Sequence, residues 1–184
     1  MIILISAASC SGKTLMSQTL LEKYKVPYYS IDNIKMGVFR ADEKCGFTPC
    51  DSTEKIGLAL WPMLKGIIKT SIENEQNLII EGCYILPEFL GEFEAEYAEK
   101  IIPVFFGFSK QYVQTKFETG ILKHRCVVEK RDYDEDRPIQ NFIDEHQYFK
   151  TRCHLHDQPF FEINNHYEKE IQTIYDYIDS RYHQ

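Results

Sequence analysis

The sequence predicts an α/β domain built on a doubly wound parallel sheet, and three observations carry that prediction. Short apolar runs recur along the chain without the polar alternation of a half-exposed strand, which is the pattern of strands covered on both faces. Between them lie stretches whose apolar residues step by three and four, the spacing of one helix face. A turn of small residues ending in Gly12-Lys13-Thr14 follows the first apolar run directly, so the first strand is expected to feed straight into a helix.

The apolar runs at 2–5, 26–31, 78–80, 101–108 and 160–163 are the expected strands. Met16, Leu20 and Tyr24 mark the first helix, whose start is expected near Lys13. Leu60, Leu64, Ile68 and Ile72 step by four, as do Val113, Phe117 and Ile121. Pro62 falls inside the former pattern, where a helix either begins or bends because proline has no N–H to donate. Ile139, Phe142, Ile143, His146 and Phe149 form another stripe, and Tyr167, Ile171, Ile174, Tyr175, Ile178 and Tyr182 form the clearest. Strand and helix thus alternate as a doubly wound sheet requires. Two segments lack a strong period, 40–53 and 124–137, and polar connections of this length are expected to be a substrate loop and a lid.

With 184 residues and 43% hydrophobic content, the chain suits one domain spanning 1–184. A net charge of −7 argues against nucleic acid or a membrane surface as partner, since both repel such a molecule. Any anion site must be local. The opening run is expected to be a core strand rather than a lipoprotein signal, and no stretch approaches the ~18 apolar residues of a membrane span. The six cysteines lack C-x-x-C spacing, which is expected of a reducing, cytoplasmic setting. Cys153, His154 and His156 have the residue types of a metal site without zinc spacing and are expected at an exposed helix end. The 12 tyrosines and 12 phenylalanines fall mostly on stripes and strands and are expected in the core.

Residues 6–14 read Ser-Ala-Ala-Ser-Cys-Ser-Gly-Lys-Thr and fit the phosphate-binding pattern G-x-x-x-x-G-K-[ST], with Ala7 in place of the first glycine. A glycine lets the backbone turn close to phosphate oxygens and aim successive N–H groups inward. Ala7 is compatible with that turn if its φ is negative. The expected nucleotide-binding residues are Ala7, Ala8, Ser9, Cys10, Ser11, Gly12, Lys13 and Thr14. Lys13 supplies a point charge to the β- and γ-phosphates, and the Thr14 hydroxyl is a magnesium ligand. ATP and Mg2+ are therefore the expected cofactors.

Three further groups are expected around the phosphates. Asp32 ends the second run, where a carboxylate points into the crevice of an open α/β sheet and can orient or deprotonate an acceptor hydroxyl; it is equally a helix N-cap residue. Glu81 ends the third run, where it can hold magnesium or contact the acceptor; a solvated strand-end acid is the alternative. Lys35 and Arg40, near Asp32, could bind an anionic acceptor or be surface charges. In 124–137, Arg125 and Arg131 are the residues expected to neutralise charge on the transferred phosphoryl group, within a loop whose mixed charges also suit a solvated surface.

The loop 7–14, Asp32, Glu81-Gly82 and the basic stretch 125–137 together resemble the P-loop small-molecule kinases of the adenylate, shikimate and gluconate kinase group. More narrowly, Ser-Ile-Asp-x-x-Lys-Met-Gly at 30–37 and Ile-Glu-Gly-x-x-x-Leu-Pro at 80–87 resemble 2-phosphoglycerate kinase-like proteins. The resemblance implies a five-stranded parallel sheet in order 2-3-1-4-5, Mg-ATP as phosphate donor, and a small-molecule acceptor such as a phosphorylated or acidic sugar or glycerate compound near Asp32. The competing expectations are a nucleotide-binding sensor that performs no transfer and a nucleoside or nucleotide kinase. A GTPase is disfavoured, since no Asn-Lys-x-Asp motif is present.

Overall fold

The computed structural model describes residues 1–125, 128 and 137–182. Five strands, β1 (Ile2–Ala7), β2 (Tyr28–Ser30), β3 (Leu78–Glu81), β4 (Ile101–Phe108) and β5 (Phe160–Ile163), form one parallel sheet in the order β2-β3-β1-β4-β5. This is the order the resemblance implies. Helices α1 (Lys13–Tyr24), α2 (Ile31–Ala41), α3 (Thr53–Glu73), the short α4 (Ala95–Ala98), α5 (Lys110–Lys116), α6 (Ile139–Leu155) and α7 (Tyr167–Tyr182) cover it.

The central strand explains the two layers. Ile2 and Leu4 of β1 enter one core with Leu60, Leu64 and Ile68 of α3, while Ile3, Ile5 and Ala7 enter the other with Met16 and Leu20 of α1 and Ile171, Ile174 and Ile178 of α7. Side chains alternate faces along a strand, so a strand covered on both sides must be apolar throughout. Helix α6 crosses from one layer to the other, giving Phe142 and Ile143 to the second core and Phe149 and Cys153 to the first. Trp61 stacks on Phe89 with ring centres 4.5 Å apart and meets the edge of Phe93 at 5.7 Å. Burying a side chain of this size contributes about 3 kcal/mol.

Local chemistry sets the boundaries. Helix α3 starts at Thr53 because the Ser52 hydroxyl accepts the Lys55 N–H at 3.2 Å. It runs through Pro62 rather than starting there, and Leu58, whose carbonyl loses its helical donor, lies on a solvent-facing turn at 58% exposure. Strand β2 is shorter than the apolar run 26–31, since Ile31 turns inward as the first residue of α2. The stripe at Val113, Phe117 and Ile121 is likewise not one helix: α5 ends at Lys116 and irregular turns carry the chain to His124. At the far end, the Glu170 carboxylate accepts the N–H groups of Asn164, Asn165 and His166 at 2.6–2.9 Å, which folds the β5–α7 turn toward the C-terminal edge of the sheet. No helix among the described residues is long and apolar enough to cross a membrane.

Candidate nucleotide and acceptor site

The site lies at the C-terminal edge of the sheet, where β1, β2 and β3 end side by side. Ile5 of β1 and Ser30 of β2 both pair with Glu81 of β3, so the loop after β1, the start of α2 and Glu81 are neighbours by register alone. Ligands of open α/β sheets bind outside these strand ends.

The turn between β1 and α1 has the backbone that anion binding requires. Cys10 at φ 58° and Gly12 at φ 94° are both left-handed, and alternation of left- and right-handed residues curls the N–H groups into a concave nest. Helix α1 begins at Lys13 and presents its positive dipole end to the same concavity. The Ala8 carbonyl accepts both the Lys13 ammonium and the Ser11 hydroxyl at 2.9 Å, which ties the loop across its own mouth. Gly12 tolerates no side chain: a β-carbon there would collide with Tyr167 Oη, which donates to the Ser11 carbonyl at 3.3 Å. Ala7, the first position of the pattern, is the last residue of β1, fully buried and paired with Phe106.

Thr14 and Glu81 meet as expected, with the Thr14 hydroxyl donating to Glu81 Oε1 at 3.3 Å. Glu81 is only 2% exposed. A hydroxyl and a buried carboxylate, both hard oxygen donors beside a phosphate cradle, fit magnesium, which takes one or two protein ligands and fills its octahedron with water and phosphate oxygens. Among the described residues no cluster of three or more His, Cys, Asp or Glu side chains could form an all-protein metal cage. Cys153 points into the core, away from exposed His154, so that trio forms no site.

Across from the cradle, Asp32 sits in the first turn of α2. Its carboxylate accepts from the Lys35 ammonium at 2.8 Å, and Lys35 also donates to Tyr84 Oη at 2.8 Å. Lys35 is 7% exposed, so its charge is spent on Asp32 rather than offered to a bulk anion. Burial, with Cys83 and Asp32 nearby, pushes the Tyr84 phenol well above its ordinary range and keeps it a neutral donor. Tyr84 is a site residue the sequence reading missed, having taken the tyrosines as core. Arg40 is exposed near the end of α2 and lines neither of the cavities described below.

These groups share one crevice. A larger cavity of about 710 Å³ holds residues 9–15 with Asp32, Lys35, Glu81 and Tyr84, and its outer wall carries Arg125, Arg137 and Lys169. Arg125 lines this cavity; Arg131 lies outside the described residues. A smaller cavity of about 380 Å³ opens beside it, and Ser9 and Cys83 line both. His146 of α6 stands behind the loop with its Nδ1 accepting the Phe108 N–H at 3.1 Å. Burial, and secondarily Lys13, lower its pKa to about 3, so the ring is neutral with its proton on Nε2.

The nest, its Gly-Lys-Thr end and a buried acid on the adjacent strand sit on a doubly wound parallel sheet of order 2-3-1-4-5. Solved structures share this fold. Shikimate kinase from Aquifex aeolicus superposes with a TM-score of 0.53 at 19% identity, covering 98% of this chain and 97% of that one. Shikimate kinase from Bacteroides thetaiotaomicron gives 0.51 at 15% identity, over 97% and 98%. At these identities the likeness is one of fold. No protein-family model matches the sequence, and no curated protein matches it significantly.

Proposed function

We propose that the protein transfers the γ-phosphate of ATP to a hydroxyl group of a small-molecule acceptor, with magnesium as cofactor. The observation that carries this is the placing of two different groups on one cavity: the cradle 9–14 with Thr14 and Glu81 on one wall, and the Lys35-paired Asp32 on another. A nucleotide sensor needs the first and has no use for the second. The fold it shares with small-molecule kinases supports the same reading.

In this reading the loop amides and Lys13 hold the β- and γ-phosphates, and Thr14 and Glu81 hold magnesium, which when bound offsets phosphate charge. Lys35 holds the Asp32 carboxylate in place, with Tyr84 donating to the same cluster at 3.5 Å from Asp32 Oδ1. The acceptor oxygen forms its bond to the γ-phosphorus as the bond to the β–γ bridging oxygen breaks. Its proton passes to Asp32, and ADP leaves with the bridging oxygen. Arg125 on the outer wall spreads charge from the three equatorial oxygens. Little covalent chemistry is asked of the protein, so positioning of this kind suffices.

The test is ADP release from Mg-ATP across a panel of polyols, amino-polyols, sugar acids, nucleosides and nucleoside monophosphates. An acceptor-dependent rate that falls by ~100-fold or more in Asp32→Asn, with ATP affinity kept within a few-fold, supports transfer. ATP binding with no acceptor-dependent turnover would reject it in favour of a sensor.

A further inference from the structure

The two limbs of the crevice carry opposite charge. The limb around the cradle is lined by Lys13, Lys35, Arg125, Arg137 and Lys169 against Asp32, Glu81 and Glu168, an excess of cations that suits a triphosphate. The smaller limb, reached past Ser9 and Cys83, is lined by Glu54 from α3 and Asp144 and Glu145 from α6, with no lysine, arginine or histidine among its described lining residues. Ser52, Asn141 and Tyr148 add neutral donors and acceptors between the acids.

We propose that this smaller limb holds the body of the acceptor and selects a polyhydroxylated amine, bound as its ammonium ion, over a carboxylate or phosphate of the same size. This rests on the phosphotransferase reading above and names the acceptor class for that site. Position argues for the acceptor: the limb adjoins the end of the phosphate cradle and the Cys83-Tyr84 turn that brings Tyr84 to Asp32, so a molecule seated there can extend one hydroxyl toward Asp32. Size agrees, since about 380 Å³ is at the lower end of the range for small-molecule pockets.

Charge decides the class. Glu145 is met by Arg137 at 2.7 Å and Glu54 by Arg152 at 3.5 Å, but Arg152 is shared with Glu88 and Tyr148. Asp144 accepts only the neutral amide of Gln140, at 2.7 Å, and no cation stands on it among the described residues. An entering anion would face three carboxylates, whereas an ammonium meets one acid that lacks a counter-charge among the described residues and two that share theirs. Lys35 cannot reverse this preference because Asp32 and Tyr84 already engage it. The polar side chains between the acids suit hydroxyl groups rather than an apolar body.

The test uses three open-chain six-carbon probes that differ at one end: 1-amino-1-deoxyglucitol, glucitol and gluconate. Binding of each is measured by calorimetry on the full chain saturated with Mg-ADP, and turnover by ADP release from Mg-ATP. The amine should bind about tenfold or more tightly than glucitol, and gluconate more weakly than both. Asp144→Asn should cut the amine's advantage by about fivefold, since an exposed acid facing one ammonium is worth about that much. A second reading needs no variant: on unmodified protein the amine's advantage should shrink as salt rises from about 0.05 M to about 0.5 M. Gluconate binding as well as the amine, or none of the three binding, overturns the assignment. Turnover of gluconate in preference to the amine overturns it while leaving phosphotransfer intact. Charge-ranked binding without turnover of the amine overturns the limb as acceptor site, and the wider acceptor panel then decides phosphotransfer separately.

Discussion

Replacing His146 with glutamine should remove most of the loss of stability that the protein suffers just below neutral pH. The imidazole is 2% exposed and neutral, with a pKa near 3 set first by burial, against 6.5 for an unrestrained histidine. Between those two values the unfolded chain binds a proton that the native state refuses, so stability rises with pH through this window. The contribution is complete above pH 6.5 and is lost as pH falls toward 3. At pH 5.5 the unfolded state gains RT ln(1 + 10^(6.5−5.5)), about 1 kcal/mol, and at pH 4.5 about 3 kcal/mol. Protonation in place would also cost the Phe108 N–H its acceptor at Nδ1. Glutamine has similar volume and does not titrate, while its side-chain oxygen can take over that bond. Urea midpoints of both proteins at pH 7.5 and 5.5 give the comparison, because the other titrating groups cancel in the double difference. The native protein should lose about 1 kcal/mol more than His146→Gln over this step. Equal losses would refute a neutral buried imidazole.

Two further substitutions bear on the site. Gly12→Ala forces a β-carbon against Tyr167 Oη at a backbone φ of 94°, so it should destabilise the fold by about 1–3 kcal/mol and weaken ATP binding in calorimetry; unchanged binding would mean the loop is not the cradle. Glu81→Gln keeps the shape and the Thr14 hydrogen bond but removes the charge, and should raise the magnesium concentration needed for half-maximal activity by about tenfold or more. An unshifted magnesium curve would place the metal elsewhere.

Much of the fold was legible because each parallel strand is buried on both faces and is therefore a plain apolar run. Strands β4 and β5 have the expected limits, and the stripes of α6 and α7 are the faces that pack. The departures have local causes. Pro62 was ambiguous because a proline's effect depends on which face its missing hydrogen bond lies, which only packing decides.

At the site, Lys13, Thr14, Asp32 and Glu81 were legible as residue types fixed at strand ends. Tyr84 was not, since an aromatic after a strand looks like core until its hydroxyl is seen to meet Lys35. Lys35 could be read as an anion contact or as a surface charge because sequence shows a charge but not its surroundings; it is buried on the cavity wall with its ammonium on Asp32. The acidic limb was invisible for a topological reason. It joins residues from the loop after β1, the start of α3 and the middle of α6, which no periodicity links. Of the unpatterned segment 40–53, expected to shape the acceptor pocket, Ser52 and Thr53 line that limb.

The most direct measurement is calorimetric titration of a non-hydrolysable ATP analogue with magnesium into the native protein and into Lys13→Ala. Saturable one-to-one binding should be seen in the native protein and weaken by about tenfold or more in the variant, whose melting temperature should be unchanged because the ammonium's one described contact is the Ala8 carbonyl. Equal affinity in both proteins, or no binding in either, would contradict a triphosphate held by residues 8–14.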